Sequence, residues 1–279
     1  PFATERLLAR RRRGGGAGPG DGLGRWALQR RADARAVGAV ALTPLAGGER
    51  VELRWAVARR WDGCGYAGEA AAGAIGYGVD VLGRHEIVVA LRPGDHRGGE
   101  VAARAGMAPV GRLVASGRCC HALAVRLPPV NPRHIRLRRA GAEEVVGLRQ
   151  RVLRPHQAPS ELLAPAESGA VDVAAMTPAG RVVGCVRLSP EPATWPAAAG
   201  AAWRLRLMAV SAVARDLGVG RRLVDDVLGR ARRAGAAGVW CAARTGSQGF
   251  YARCGFRAVT RPWDDPAVGP HVGMVAWLV

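Results

Sequence analysis

The chain has 279 residues, 49% of them apolar, and a formal net charge of +19. It is long enough for one large domain or two ordinary ones, and its apolar content excludes disorder throughout. All 41 basic residues are arginine, with 20 in residues 1–132 and 21 in residues 133–279 against 11 acids in each part, so no basic tail carries the charge.

No apolar run approaches the ~18–20 residues of a membrane span. Arg10–Arg13 is followed by the glycine-rich run Gly14–Gly24, where a signal peptide needs an apolar stretch. The expectation is a cytoplasmic protein with no membrane partner and a flexible link at residues 14–24. Alanine, arginine, glycine, valine and proline dominate, the pattern of GC-rich coding. The charge raises a nucleic-acid or ribosome partner, but no recognition motif and no basic helix with interleaved aromatics supports one.

In chain order, strands are expected at Arg35–Leu42 and Leu53–Val57, then a glycine loop, Arg60-Trp-Asp-Gly63-Cys-Gly65. A helix over Ala67–Val81 carries four interior glycines, each costing ~1 kcal/mol relative to alanine. The strand His85–Leu91 and a short helix ending at Gly106-Met107 follow. Cys119-Cys120-His121 has no second ligand pair at metal-site spacing and reads as strand, so no metal is expected. The six cysteines (Cys64, Cys119, Cys120, Cys185, Cys241 and Cys254) form no CxxC pair and are expected as free buried thiols.

Pro128-Pro-Val-Asn-Pro132 resists helix and central strand alike, and marks a boundary between domains at 1–130 and 133–279. Beyond it, a helix is expected over Glu143–Arg154, stopped by Pro155. Then the earlier pattern returns in the same order. Arg181–Leu188 repeats Arg35–Leu42, and Leu205–Val210 repeats Leu53–Val57 with one extra residue, a candidate bulge. Arg215-Asp-Leu-Gly218-Val-Gly220 repeats the glycine loop. A helix follows with Leu223, Val224, Val227, Leu228 and Ala231 on one face, ended by Gly235. Val239–Arg244 and a short helix to Gly255-Phe256 complete the second copy.

A strand–glycine turn–helix arrangement aims free backbone N–H groups and the positive end of a helix at an anion. With Arg215, Arg221 and Arg222 nearby, it reads as a pyrophosphate cradle, at a spacing unlike GxGxxG or GxxxxGK[ST]. The alternative is a glycine turn with no ligand.

On these residues the second half resembles the GNAT superfamily of acyl-CoA N-acyltransferases. Arg215, Gly218 and Gly220 match the family's [Q/R]-x-x-G-x-[G/A] loop. Phe250-Tyr251-Ala-Arg-Cys-Gly255-Phe256 matches its distal aromatic signature, and Gly269-Pro-His271-Val-Gly-Met274 resembles a subgroup's ending. The resemblance spans residues 135–279. The first half is similar to the branch that acetylates ribosomal-protein N-termini, through Thr4-Glu-Arg-Leu-Leu8 and Arg60–Ala70. It departs where the acceptor-wall helices would stand, and in carrying Asp95-His-Arg-Gly98 for the family's Asn-x-x-Ser.

The resemblance implies an α/β (α+β) fold of two tandem modules, each a mixed, mostly antiparallel sheet flanked by helices. It implies N-acetyl transfer from acetyl-CoA to an amine of a small molecule or peptide. Met208, Ala209 and Val210 would hold the pantetheine and polarise the thioester. Arg215, Leu217, Gly218, Val219, Gly220 and Arg221 would hold the pyrophosphate. Arg60, Gly63 and Gly65 are the counterparts in a first module expected to be degenerate. Tyr251 is either general acid to the leaving thiolate or a core aromatic with its hydroxyl at the rim. Glu191, His271, Glu161 and His156 are candidate bases, and His271 is alternatively a structural histidine. Trp195, Trp203 and Trp263 either line an acceptor pocket or pack. Arg149, Arg151 and Arg154 either hold an acidic acceptor or form a solvated helix face. A non-catalytic acetyl-CoA-binding scaffold is the competing reading.

Overall fold

The structure is a computed structural model that describes residues 1–11, 22–45, 50–115, 117–163, 168–266 and 268–278. The expected link at residues 14–24 lies mostly outside the described residues. Two compact units result: residues 1–130 with 150–163 and 211–213, and residues 131–149 with 164–210 and 214–279.

The first unit holds an eight-stranded sheet of β1 (Phe2–Ala3), β2 (Leu7–Arg11), β3 (Gly24–Arg30), β4 (Ala36–Pro44), β5 (Val51–Val57), β6 (Glu86–Leu91), β7 (Ala108–Ala115) and β8 (Arg118–Arg126), in the order β1-β2-β3-β4-β5-β6-β8-β7. Helix α1 (Tyr66–Asp80) joins β5 to β6, and α2 (His96–Arg104) joins β6 to β7. Alternation puts Trp26 and Leu28 of β3 into the core. There the rings of Phe2, Trp26 and Tyr77 meet at 5.5–5.7 Å between centroids. The small residues of α1 bring it close to the sheet, with Ala70, Ala71 and Ala74 fully buried.

The second unit repeats the plan. Its strands are β9 (Arg136–Arg139), β10 (Val171–Met176), β11 (Val182–Pro190), β12 (Trp203–Val210), β13 (Gly238–Arg244), β14 (Arg257–Ala258), β15 (Trp263–Asp265) and β16 (Gly269–Trp277). Their order is β14-β16-β13-β12-β11-β10-β9, with β15 on β16. Helix α3 (Ala142–Leu153) follows β9, α4 (Val219–Arg233) follows β12, and α5 (Gln248–Arg253) follows β13. The apolar face of α4 buries Leu223, Val224, Val227 and Ala231 as its 3.6-residue period requires, and Gly235 ends it at φ +75°.

Each sheet is antiparallel except at one place. β5 pairs parallel to β6 only at Val51 and Glu52, and β12 to β13 only at Trp203 and Arg204. Beyond those pairs the strands part, so each unit contains a fork. The cysteine expectation needs correction: Cys64 and Cys119 are exposed, and Cys120, Cys185, Cys241 and Cys254 are buried free thiols. Cys119-Cys120-His121 is indeed strand, within β8. No helix is long and apolar enough to cross a membrane among the described residues.

Gly38 and Gly184 hold the same place in the two copies, on β4 and β11. A Cβ on Gly38 would stand 2.0 Å from the Ala56 carbonyl oxygen, whereas on Gly184 it would meet side chains, Leu223 Cδ1 at 2.9 Å and Val219 Cγ1 at 3.1 Å. Backbone yields less readily than a side-chain end. Gly38→Ala is therefore expected to destabilise the protein by about 3 kcal/mol, and Gly184→Ala by less, measured by denaturant unfolding.

Candidate active site

The second fork holds the candidate site. Across β11 and β12, Arg206 stands opposite Arg187 and Ala209 opposite Cys185, so two residues of β12, Leu207 and Met208, oppose one of β11, Val186. This is the extra residue of the repeat comparison, and it forms a bulge. Leu207 takes it up at φ +53°, a left-handed conformation that costs a leucine about 1–2 kcal/mol. A one-residue shift exchanges the faces of a strand. Past the bulge, Met208 therefore comes against Gly220 of α4, where a Cβ on the glycine would stand 3.2 Å from Met208 Cε.

Beside it, the chain turns through Asp216 (φ +60°) and Gly218 (φ +76°) into α4. Gly218 is the N-cap, without a side-chain cap, and the first turn contains no acid. The first backbone N–H groups of a helix lack intrahelical acceptors, and here they stand at the positive end of the dipole. Space is open around Gly218. A cavity of about 620 Å³ opens here, lined among others by Met208, Val210, Arg215, Gly218, Gly220 and Arg221. Phe250, Tyr251 and Cys254 close its other side.

Tyr251 lies between Phe250 and Phe256, with centroids at 5.1 and 5.5 Å, and its hydroxyl points at Met208 Sδ, 3.6 Å away. Burial pushes its phenol well above the ordinary tyrosine range, so it is held protonated. Burial also raises the Cys254 thiol, against the opposing pull of Arg221. Arg221 bonds Asp225 at 3.0 Å and the Arg253 carbonyl oxygen at 2.6 Å.

The expected residues thus separate. Met208, Val210, Arg215, Gly218, Gly220, Arg221 and Tyr251 come together around one cavity. Ala209, Leu217 and Val219 do not line it: Ala209 and Val219 are buried, and Leu217 is exposed. Arg222 turns away, donating to the carbonyl oxygens of Pro132 and Ile135 at 2.7 and 2.8 Å. Glu191 is bound by Arg204 at 2.7 Å and Arg206 at 3.6 Å, outside the cavity lining. His271 is buried, with Nδ1 2.6 Å from the Gly269 carbonyl oxygen, and also stands outside it. Trp195 and Trp263 pack with Trp240 and His271. His156 and Glu161 belong to the first unit. Neither alternative for the α3 arginines survives in full. Arg149 is buried on Asp172, and Arg151 holds the buried Asp80 at 2.6 Å in the first unit. Asp216, Ser247 and Arg253 line the cavity unanticipated; a left-handed aspartate carries no motif of its own.

The first unit keeps the fork and the left-handed helix N-cap but differs in its strand register and loop charges. β4 and β5 pair in step from Pro44–Val51 to Gly38–Val57, with no bulge. Its helix N-cap is Gly65 (φ +77°), which aligns with Gly218 rather than with Gly220. The loop alignment from sequence is thereby corrected by two residues. Gly63 corresponds to Asp216, Asp62 to Arg215 and Glu69 to Arg222, while Arg60 has no arginine counterpart. Arg60 donates to the Ala36 carbonyl oxygen at 3.1 Å. Glu69 accepts from Thr4, from the Arg6 amide and from Arg6 Nε at 2.5–2.7 Å. Asp95 caps α2 through the Gly98 amide at 2.8 Å. The cavity of about 560 Å³ in this fork is lined by Glu52, Arg54, Trp55, Arg92, Asp95 and Arg118 among others, not by Arg60, Gly63 or Gly65.

Comparison with known proteins follows the duplication. The model of an acetyltransferase (GNAT) domain matches residues 2–108, and that of the acetyltransferase (GNAT) family matches residues 144–256. The chain is similar to the uncharacterized N-acetyltransferase YitI of Bacillus subtilis (strain 168), 29% identical over 138 residues that cover 49% of this chain and 91% of the relative. Among solved structures, a putative N-acetyltransferase from Lactobacillus plantarum is 20% identical, covering 52% of this chain and 99% of its own, at a TM-score of 0.43. An acyl-CoA N-acyltransferase from Pseudomonas aeruginosa is 22% identical, covering 51% and 99%, at 0.41. The two family matches together span most of the sequence, and the chain belongs to the GNAT acetyltransferase family, as an acyltransferase enzyme with two such domains in tandem.

Proposed function

We propose that the second unit transfers an acetyl group from acetyl-CoA directly to an amine of a small molecule or peptide, and that the first unit does not catalyse. The observation that supports this most is the bulged fork with Tyr251 against Met208. The donor set suits the coenzyme's diphosphate: a left-handed Gly218 with open space around it, an uncapped helix start, and Arg215 and Arg221 on the cavity wall.

Acetyl-CoA supplies an activated thioester. From Leu205 onward, β12 has no strand partner on its β13 side among the described residues, so its edge groups are available to the pantetheine amides. A backbone N–H beside Met208 stabilises negative charge growing on the thioester oxygen. The amine nitrogen forms the new C–N bond as the C–S bond breaks. The sulfur keeps the electron pair and takes the Tyr251 proton, the nitrogen releases its proton to water, and Tyr251 is reprotonated from solvent.

In the first unit, the in-step β5 offers no re-phased residue at the fork. Asp62 and Gly68 stand where the second unit has the cavity arginines Arg215 and Arg221. A carboxylate in place of an arginine there repels a diphosphate. This favours a first unit without turnover and with weak affinity for the coenzyme.

Isothermal titration is expected to give one acetyl-CoA per chain, abolished by Gly218→Glu. Two equivalent sites would refute the reading of the first unit, and no binding with no CoA release across an amine panel would refute the whole. Tyr251→Phe is expected to lower kcat about 100-fold with KM for acetyl-CoA little changed. Because burial disfavours the phenolate, Tyr251→Phe should leave the phenolate absorbance unchanged up to about pH 11, past the ordinary tyrosine pKa of about 10.

A further inference from the structure

The bulge at Leu207 is a strained element on which the proposed chemistry depends, and strain persists only where the surroundings impose it. Arg149 reaches it from outside the sheet. This arginine lies on α3 and is 6% exposed. Its Nη2 donates to Asp172 Oδ1 of β10 at 2.5 Å, and its Nε donates to the carbonyl oxygen of Leu207 at 3.4 Å. Asp172 is in turn fixed by Arg187 of β11, whose Nε and Nη2 reach its two oxygens at 2.9 and 2.7 Å. Arg187 is the residue opposite Arg206, immediately before the bulge. The cluster therefore ties α3, β10 and β11 to the one left-handed residue of β12. Burial alone would raise the Asp172 carboxyl, but hydrogen bonds from the two guanidiniums hold it below the usual range, so it stays an anion.

We infer that Arg149, anchored by Asp172 and Arg187, is a positioning residue that holds the Leu207 bulge in register and so places Met208 and its backbone N–H at the fork for acyl transfer in the second unit. The catalytic half of this inference rests on the function proposed above. The mechanical half does not. A guanidinium can donate to a carboxylate and to a carbonyl oxygen at once through different nitrogens in fixed directions. A lysine ammonium has one nitrogen, and on Asp172 it leaves the Leu207 carbonyl oxygen without its donor.

Arg149→Lys keeps the cation for Asp172 and tests the second contact. Expected are a fall in kcat of about 30-fold, KM for acetyl-CoA within about twofold, and amide hydrogen exchange over residues 205–210 faster by about 10-fold or more. Leu207→Gly supplies the control, because glycine holds φ +53° without strain. In that background Arg149→Lys should cost no more than about threefold in kcat, the coupling expected of a shared element. Asp172→Asn, which loosens the same guanidinium from its other end, should move exchange and kcat in the same direction. Unchanged exchange at residues 205–210 in Arg149→Lys overturns the inference whether or not the wild type turns over. So does an equal loss of kcat from Arg149→Lys in the wild-type and Leu207→Gly backgrounds, which a merely structural arginine would give. A wild-type protein that releases no CoA refutes the acyl-transfer reading, and the exchange measurement still decides whether Arg149 holds the bulge.

Discussion

A parallel strand pair that stops after two residues is the constraint on which the second unit is built. β12 and β13 share backbone pairing at Trp203 and Arg204 and then diverge. Backbone groups at a buried edge require partners. A fork inside a sheet is therefore costly unless something fills it, and a ligand with amides of its own can do so. The bulge adds the second half of the arrangement. It turns Met208 toward α4, and the αL turn at Gly218 starts that helix beside it. Strand edge, helix start and Tyr251 then border one cavity.

The first unit shows how far the same frame can drift while remaining folded. It keeps the fork, the pair of left-handed loop residues and a 15-residue helix, and it buries a continuous core. What it lacks is local: the extra strand residue, arginines at the places of Arg215 and Arg221, where Asp62 and Gly68 stand, and the tyrosine, whose place is taken by Ala102. Glu69 has been absorbed into the architecture, binding the chain at Thr4 and Arg6 to the start of α1. A carboxylate is favourable at a helix N-terminus in its own right. Fold is set by the sheet and its core, and function by a few positions grafted on them.

Much of this was legible in the amino-acid sequence because duplication supplies an internal control. Aligning the two copies exposed the extra residue between Leu205 and Val210, which no single-copy pattern would mark. The glycine loop was legible as strand–turn–helix chemistry, but its register was not. Matching glycine to glycine paired Gly63 with Gly218, whereas the helix starts pair Gly65 with Gly218. A left-handed position accepts aspartate as well as glycine, so Asp216 concealed the equivalence. Counter-ions were illegible. Glu191 reads as a candidate base, but Arg204 and Arg206 enclose it; Arg149 reads as a contact for an acidic acceptor or part of a solvated helix face, but Asp172, 23 positions away, takes it into the interior. Such pairings carry no periodicity and no spacing, because the fold alone brings the partners together.

The arginine excess has the same kind of explanation. Arg222 spans two carbonyl oxygens of the segment before β9. Arg221 reaches the carbonyl oxygen that ends α5, Arg11 reaches that of Leu23, and Arg6 that of Cys64. In each case a guanidinium closes a chain end or a turn by donating to backbone oxygen, often while another of its nitrogens serves a carboxylate. A lysine, with one nitrogen on a flexible stem, does this poorly. Exposed ion pairs contribute little to stability, so the value of these side chains lies in donor geometry more than in charge. The net charge of +19 is largely distributed through such contacts, and in the second unit Arg215, Arg221 and Arg253 are the arginines that line the cavity.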